Sequence, residues 1–332
     1  MTGALRRSPS LLPQTRALLA RRGVRPNPAR GQHFLVDPRI REAIATAAGI
    51  VPGRTVVEVG PGTGALTEGL LQRGAAVLAV ELDRELASIL METLGANPDL
   101  TIRVGDALRF DFRAHFADHP ERGRIRMVAN IPYYITTPLI LRLLRCREVF
   151  DALFLTIQRE VADRITASPG CKAYGSLTLQ CRYWAAVTPV MAIPRAAFFP
   201  VPEVDSTLVR FDLLDAPSVM VARPAQLFGV IQAAFGQRRK TLRNTLRRAG
   251  WPSEAVDAGL DACRIDGVRR GETLSLEEFA RLSEALPRKP RTDRDRDRDR
   301  DRDRDRDGDR DRDRDRDKTS AAVRRSRFEV QR

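Results

Sequence analysis

A short β-type run that opens directly into a glycine-rich turn constrains the fold of this chain more than any other feature. The run Thr55-Val-Val-Glu-Val is followed by Gly60-Pro-Gly62-Thr-Gly64 and then by a helical pattern with its leucines on one face. A strand, a glycine turn and a helix in this order are typical of the ligand-binding start of an α/β domain. Glycine lets the backbone approach a ligand because no Cβ stands in the way. The sequence therefore predicts an α/β fold with a cofactor site at this turn.

Carboxylates stand at the ends of the next two β-type runs. Glu81 closes the run that begins at Val77, about 20 residues beyond the glycines, where a carboxylate can accept hydrogen bonds from both ribose hydroxyls of a nucleoside. Asp106 closes the run that begins at Thr101 and can accept a hydrogen bond from an adenine amino group. These positions predict an adenosine-containing cofactor, and by themselves they fit both NAD and S-adenosylmethionine.

The spacing of the glycines distinguishes these two cofactors. NAD-binding turns follow the pattern G-x-G-x-x-G, whereas this turn reads G-x-G-x-G and follows an acidic residue, Glu58. That pattern resembles the first motif of methyltransferases. Because the turn lacks the glycine spacing of the NAD fingerprint, we predict S-adenosylmethionine as the cofactor.

The most specific motif is Asn130-Ile-Pro-Tyr, which follows a further β-type run at Arg126-Met-Val-Ala. It matches the loop of nucleic-acid methyltransferases that act on amino groups. The lone pair of adenine N6 is delocalised into the ring, so two acceptors at its N–H groups favour a pyramidal nitrogen that is a better nucleophile. The Asn130 side chain and the Ile131 backbone carbonyl can be those acceptors. Pro132 fixes the backbone between them and Tyr133, and Tyr133 can stack on the extruded base.

A family resemblance rests on four segments taken in order. They are Gly31-Gln-His-Phe-Leu35, Glu58-Val-Gly-Pro-Gly62, Asn130-Ile-Pro-Tyr133 and Phe198-Phe-Pro-Val-Pro-Glu-Val-Asp-Ser206. The set resembles the KsgA/RsmA family of small-subunit rRNA adenine dimethyltransferases. The resemblance implies a Rossmann-like, S-adenosylmethionine-dependent methyltransferase domain followed by a small all-helical domain. It also implies dimethylation of N6 in two adjacent adenosines of the 3′-terminal hairpin of 16S rRNA, within an immature 30S subunit.

The resemblance also assigns roles to individual residues. The implied cofactor contacts are His33, Leu35, Gly60, Glu81, Asp106 and Asn130. His33 stands where the family usually has Asn, and an imidazole can still donate a hydrogen bond. The implied catalytic residues are Asn130, Pro132, Tyr133 and Phe198. Phe198 would be a second aromatic wall for the target base, opposite Tyr133, and core packing is the alternative role for it or for Phe199.

Composition divides the chain into four regions. Residues 1–30 form a basic arm, 31–214 the α/β domain, 215–287 a helical RNA-binding domain and 288–332 a low-complexity tail. In the tail Asp and Arg alternate from Asp293 to Asp317 with nothing apolar to bury, which predicts disorder. The arm has the composition of an organelle transit peptide, but its sequence resembles the start of the family. We therefore interpret it as an arm that faces RNA.

A basic helix is predicted in the helical region, from about Ala225 to Arg248. Its basic face comprises Arg238, Arg239, Lys240, Arg243 and Arg247. Unrelieved positive charge four residues apart weakens a helix, so a phosphate-bearing partner is a reason for the pattern, and a solvated basic face is the alternative. Further on, Ser275-Leu-Glu-Glu278 predicts the start of a final helix through a capping box.

Charge and cysteine content narrow the class of protein. The net charge of +14 favours an anionic partner, with nucleic acid ahead of an acidic membrane surface. The four cysteines form no C-x-x-C pair, which argues against a zinc site or a disulfide framework. No apolar stretch approaches the roughly 20 residues that span a bilayer. We therefore expect a cytoplasmic monomer without a metal and without membrane association.

Two other functions remain open at this point. An Erm-type 23S rRNA methyltransferase, which confers macrolide resistance, shares the fold, the cofactor site and the Asn-x-Pro-Tyr loop. Against it, Val204-Asp-Ser206 and the segment from Phe235 to Asn244 resemble the small-subunit family. A non-catalytic ribosome-assembly factor on the same fold is the other alternative, and the intact loop at Asn130 argues against it.

Overall fold

The computed structural model describes residues 10–27, 31–120, 124–237 and 239–288; the Asp/Arg tail lies outside this part of the chain. The strands are β1 (Phe34–Leu35), β2 (Thr55–Val59), β3 (Ala76–Glu81), β4 (Leu100–Val104), β5 (Ile125–Asn130), β6 (Phe150–Gln158), β7 (Ala185–Ile193), β8 (Phe198–Phe199) and β9 (Ser206–Leu213). The helices are α1 (Leu12–Arg21), α2 (Pro38–Ala47), α3 (Ala65–Gln72), α4 (Arg84–Leu94), α5 (Phe112–His115), α6 (Thr136–Arg145), α7 (Arg159–Thr166), α8 (Ser176–Trp184), α9 (Pro224–Phe235), α10 (Leu242–Arg248), α11 (Ser253–Ala262) and α12 (Leu276–Ala285).

The central sheet, as far as the described residues show it, has the strand order β4-β3-β2-β5-β6-β9-β7. Strands β4, β3, β2, β5 and β6 pair in parallel, whereas β9 runs antiparallel to both β6 and β7. The chain adds β3 and β4 on one side of β2 and then returns to place β5 on the other side. A ligand crevice forms at such a reversal, outside the carboxyl ends of the strands. The four β-type runs of the sequence are β2 to β5, so the predicted α/β, Rossmann-like fold is confirmed.

Helices cover both faces of this sheet, which explains why its central strands are apolar at nearly every position. Val57 and Val59 of β2 face a core that includes Leu139 of α6. Val56, on the opposite face, belongs to a second core that includes Leu70 of α3. Because both faces are buried, the strand reads as a continuous apolar run rather than an alternating one.

The predicted N-terminal arm packs against the methyltransferase fold wherever it is described. Its helix is α1, and Leu19 on the inner face of α1 is buried beside Phe34 of β1 and Ile89 of α4. On the outer side, Arg21 and Arg22 form ion pairs with Glu92 of α4. The helix of this segment is therefore packed on the folded domain through one face, and the RNA-facing role of the arm stays a prediction.

The region beyond β9 is helical, with α9 to α12 around a core of its own. This core includes Trp251 and Phe279, and it extends to Leu179 and Tyr183 of α8. The predicted final helix is α12, and its capping box is present, because Ser275 Oγ accepts from the Glu278 backbone N–H at 3.2 Å and the Glu278 carboxylate accepts from that of Ser275 at 2.8 Å.

The single basic helix predicted from 225 to 248 is wrong, since the structure has two helices there. Helix α9 ends before Gly236, and α10 begins after Thr241, whose side chain accepts the backbone N–H of Asn244 at 3.4 Å. Glycine is a poor helix former and threonine is a good N-cap, so both residues favour a break at this place. Of the predicted basic face, Arg238 lies outside the described residues.

Candidate functional site

A cavity of about 390 Å³ opens at the carboxyl ends of β2, β3 and β5, where the strand order reverses. The predicted site residues in its wall are His33, Leu35, Gly60, Glu81, Asp106, Asn130 and Pro132. All six predicted cofactor contacts thus lie around one space, although β1 and β5 are distant in sequence. Its size is in the range of small-molecule sites.

The glycine turn adopts a backbone conformation that favours glycine. Gly60, Gly62 and Gly64 have φ angles of 68°, 58° and 86°, which residues with a Cβ rarely adopt. A Cβ on Gly62 would lie 2.8 Å from the Phe34 ring, so the turn also needs the missing side chain for space. The turn therefore lies directly on β1, and its last glycine, Gly64, is the N-cap of α3.

Glu81 links the glycine turn to the end of β3. Its carboxylate accepts the backbone N–H of Gly62 at 3.1 Å and that of Asp83 at 2.9 Å, and the side chain is buried. Burial raises the pKa of Glu81 above its ordinary value, and the two backbone hydrogen bonds oppose that rise. A carboxylate offers about four acceptor positions, so some remain for hydroxyl groups of a ligand in the cavity.

Asp106 follows β4 on the far side of the same cavity. One of its carboxylate oxygens accepts the backbone N–H of Leu108 at 2.9 Å, which fixes the side chain at the strand end. The second oxygen lies 3.9 Å from the Arg109 guanidinium. The side chain is half-buried, and its second oxygen suits the predicted contact with an amino group of the cofactor.

Glu58, the acidic residue before the glycine turn, has a structural role that its place in the motif does not reveal. Its side chain is buried in the wall of the cavity, and the Thr67 hydroxyl donates a hydrogen bond of 2.7 Å to the carboxylate. Burial raises the pKa of Glu58 to about 8, and the nearby Glu81 adds to the rise. In the cofactor-free protein at neutral pH this carboxyl group is therefore mostly protonated.

The Asn130 side chain is held in one orientation by the segment that contains β1. Its Nδ2 donates a hydrogen bond of 2.9 Å to the backbone carbonyl of His33. The carbonyl oxygen Oδ1 is the end of the amide that is left to accept a hydrogen bond, which is what the predicted chemistry needs. The His33 ring lies next to the Pro200 backbone carbonyl, with Nδ1 at 2.7 Å. His33 thus acts on the loop through its backbone, a role that its residue type does not reveal.

Two aromatic residues predicted to hold the base have different surroundings. Tyr133 is half-buried, its hydroxyl lies 3.1 Å from the Ser206 hydroxyl, and its ring centre lies 5.4 Å from that of His33. Phe198 is 2% exposed and belongs to the core beneath the site. It pairs with Leu35 in the two-stranded sheet, so β8 turns its ring inward. In this conformation Phe198 presents no open face to a base, which corrects the expectation of a second wall. Phe198 therefore has the alternative role predicted for Phe198 or Phe199, which is core packing.

The predicted basic face is only partly free of acidic partners. Arg239 and Lys240 are exposed in the turn between α9 and α10. Arg243 and Arg247 of α10 both form ion pairs with Asp257 of α11, at 2.9 and 2.5 Å. Asp257 therefore offsets part of the charge of α10, and the repulsion between Arg243 and Arg247 is not unrelieved.

Two features are absent from the described residues. No group of three or more His, Cys, Asp or Glu side chains in this part of the chain is arranged to hold a metal ion. Nor does any helix within it combine the length and the apolar character that a membrane crossing requires.

Comparisons with known proteins agree with this site. The family model described as Ribosomal RNA adenine dimethylase matches residues 24–287. Proteins of Moorella thermoacetica and Geobacillus thermodenitrificans, each named Ribosomal RNA small subunit methyltransferase A, are 43% identical to this chain over 278 residues. These alignments cover 82% of this chain and 96% and 95% of the two relatives.

Two solved structures have the same fold over most of this chain. A dimethyladenosine transferase from Plasmodium falciparum is similar with a TM-score of 0.62 and 27% identity, over 75% of this chain and 96% of that one. The 23S rRNA methyltransferase ErmE is similar with a TM-score of 0.59 and 27% identity, over 76% of this chain and 99% of that one. The match therefore includes the helical region as well as the sheet.

The raised pKa of Glu58 predicts a pH dependence of stability. The unfolded chain loses this proton near pH 4.5, while the folded, cofactor-free protein keeps it up to pH about 8. The stabilisation is therefore complete below pH 4.5 and falls as the pH rises toward 8, by at most about 1.4 kcal/mol per pH unit. Glu58→Gln should remove this part of the slope in urea unfolding at a series of pH values. Glu277→Gln, on the exposed side of α12, is the matched control and should keep the slope; equal slopes for wild type and Glu58→Gln would contradict the assignment.

Proposed function

The chain belongs to the ribosomal RNA adenine dimethylase family, and on this premise we propose that it dimethylates N6 of two adjacent adenosines in the 3′-terminal hairpin of 16S rRNA. The observation that carries the proposal is the Asn130 amide, which is fixed by His33 with its acceptor oxygen left for a substrate amino group. We propose that the RNA is bound within an immature 30S subunit, by a cytoplasmic monomer.

The residues around the cavity fit S-adenosylmethionine, the cofactor that the family implies. Glu81 and Asp106 offer carboxylate oxygens at the two strand ends where an adenosine would lie, and the glycine turn leaves the backbone open between them. When bound, S-adenosylmethionine supplies an electrophilic methyl group on a sulfonium. The protein contributes the position of the cofactor and of the accepting nitrogen, which together can supply most of the rate.

The chemistry that falls to the protein is the activation of an amino group. In the first transfer Asn130 Oδ1 and the backbone carbonyl of Ile131 accept the two hydrogens of N6, so that its lone pair turns out of the plane of the ring. In the second transfer one hydrogen remains on N6, and one of these two acceptors receives it. Ile131 is held by its own N–H, which donates to the carbonyl of Thr156 in β6 at 3.1 Å. A preorganised acceptor of this kind needs no reorganisation during the reaction. Tyr133 provides the surface on which the extruded adenine stacks.

Of the two alternative functions, one has a specific observation in its favour. The similarity to ErmE supports a 23S rRNA methyltransferase, but at 27% identity it is weaker than the 43% identity to relatives named for the small subunit. A non-catalytic assembly factor would not need the Asn-Ile-Pro-Tyr loop intact, nor its Asn130 amide fixed at the cavity wall, and both features favour catalysis.

The proposal is tested by mapping the methylated base. The protein is incubated with S-adenosylmethionine labelled in its methyl group and with immature 30S or 50S particles, and the labelled nucleotides are identified by mass spectrometry. We expect N6,N6-dimethyladenosine at two adjacent positions of 16S rRNA. Label on the 50S particle alone would support the 23S function instead, and no label on either particle would support the assembly factor.

Replacement of Asn130 should separate chemistry from cofactor binding. Asn130→Ala removes one of the two acceptors, so kcat should fall roughly a hundredfold or more, while calorimetry should find cofactor binding largely intact. Asn97→Ala, in the turn before β4, removes a comparable side chain outside the site and should leave kcat unchanged. Near-normal turnover of Asn130→Ala would refute the catalytic assignment.

The exposed and the paired basic residues should differ in their effect on RNA binding. Replacing Arg239 and Lys240 by Ala should weaken binding and reduce the slope of log affinity against log salt by about one to two, because fewer counterions are released. Arg247→Ala should instead lower the free energy of unfolding, since it leaves Asp257 with one partner fewer. Filter binding at several salt concentrations measures the slope, and an unchanged slope for the double variant would contradict this surface.

A further inference from the structure

The catalytic loop is joined to β9 by a pair of hydroxyl groups. Tyr133 follows Pro132 in a short 3-10 turn, and its hydroxyl shares a hydrogen bond of 3.1 Å with that of Ser206. The turn itself is not part of the sheet, and a hydrogen bond from the Ile135 N–H to the Pro132 carbonyl closes it. The ring of Tyr133 therefore depends on contacts at its far end for a defined tilt.

Ser206 is a rigid anchor for such a contact. It is the first residue of β9, where it lies opposite Gln158 of β6 on one side and Ile193 of β7 on the other. Its side chain is 1% exposed. A serine paired on both sides and buried has little freedom to follow a moving ring, so it sets the position of the hydroxyl that it contacts.

The residue before Ser206 strengthens this anchor. Asp205 accepts the backbone N–H of Arg195 on its carboxylate at 2.9 Å, and its own carbonyl accepts the N–H of Arg159 at 3.0 Å. These contacts tie the start of β9 to the segment before β8 and to the start of α7. The hydroxyl of Ser206 is thus fixed from several elements at once.

The other end of the contact lies beside His33, a residue of the cavity wall. The Tyr133 ring lies beside the His33 ring, at 5.4 Å between centres and 30° between planes. His33 also holds the Asn130 amide through its backbone carbonyl. Tyr133 and Asn130 therefore both contact His33. A change in the tilt of the Tyr133 ring would change where a stacked base lies relative to Asn130.

We propose that Ser206 is a positioning residue for the transfer reaction, whose hydroxyl fixes the Tyr133 ring at the tilt that brings the amino group of a stacked adenine to Asn130. This inference rests on the proposed function, because it assumes that an adenine stacks on Tyr133. Ser206 touches neither the base nor the cofactor. Its effect passes through the ring of Tyr133. Loss of the Ser206 hydroxyl should therefore lower kcat and leave the KM for S-adenosylmethionine nearly unchanged.

The test is a double-mutant cycle of Ser206→Ala and Tyr133→Phe. Each variant removes one hydroxyl of the same pair, so each should lower kcat by about threefold to tenfold, as the loss of one hydrogen bond predicts. The double variant should be no slower than the slower single variant. Ser206→Thr keeps the hydroxyl and should restore part of the rate. Thr207→Ala removes the next hydroxyl, on the opposite face of β9, and is the matched control that should leave kcat unchanged.

A second readout separates positioning from stability. RNA that carries 2-aminopurine at the target adenosine reports stacking through quenching of its fluorescence, and Ser206→Ala and Tyr133→Phe should reduce that quenching equally. If Ser206→Ala fails to fold, Tyr133→Phe with its half-buried ring tests the same bond alone. Effects on kcat that add, or a loss of thermal stability with unchanged kcat and quenching, would overturn the role of Ser206. A wild-type protein that methylates no rRNA would overturn the proposed function itself, which is a different result.

Discussion

The parallel pairing of β2 with β5 is the constraint on which the site depends. Val56 lies opposite Arg126 and Val57 opposite Met127, so the two strands end side by side. The chain after β2 becomes the glycine turn, and the chain after β5 becomes the loop that begins at Asn130. The part of the cavity that fits a cofactor and the part that fits a reacting amine are neighbours because these two strands are neighbours. The reversal of strand order at this point leaves the crevice between their ends open.

The segment around β1 joins these two halves. Phe34 lies against the glycine turn, where a Cβ on Gly62 would meet its ring, and the carbonyl of His33 holds the Asn130 amide. The same segment is packed beneath α1, whose Leu19 contacts the Phe34 cluster. This short stretch thus fixes the glycine turn and the Asn130 loop relative to each other, through a ring contact and a backbone carbonyl.

Sequence patterns predicted the parts of this structure that depend on side-chain type and spacing. The parallel strands, the glycine turn, Glu81, Asp106 and Asn130 follow from apolar runs and from the residue at each strand end. The break between α9 and α10 was missed because the four-residue spacing of the arginines resembles one helix, although Gly236 and Thr241 signal a break. The ion pairs of Arg243 and Arg247 with Asp257 depend on tertiary packing. The inward turn of Phe198 depends on how β8 pairs with β1, and the role of the His33 carbonyl has no side-chain signature.

Helix α8 contributes to more than one core, because Cys181 packs against the sheet while Leu179 and Tyr183 pack with Trp251 and the other residues of the helical region. The α/β region and the helical region, which the sequence separates at residue 214, therefore both pack against α8. A fragment that ended after β9 would expose to water the face of α8 that packs with the helical region, including the ring of Tyr183. The helical region therefore also serves as a cover for α8. Substitutions at the positions of α9 and α12 that pack in the same core as α8 should therefore also disturb the side of the sheet on which α8 lies.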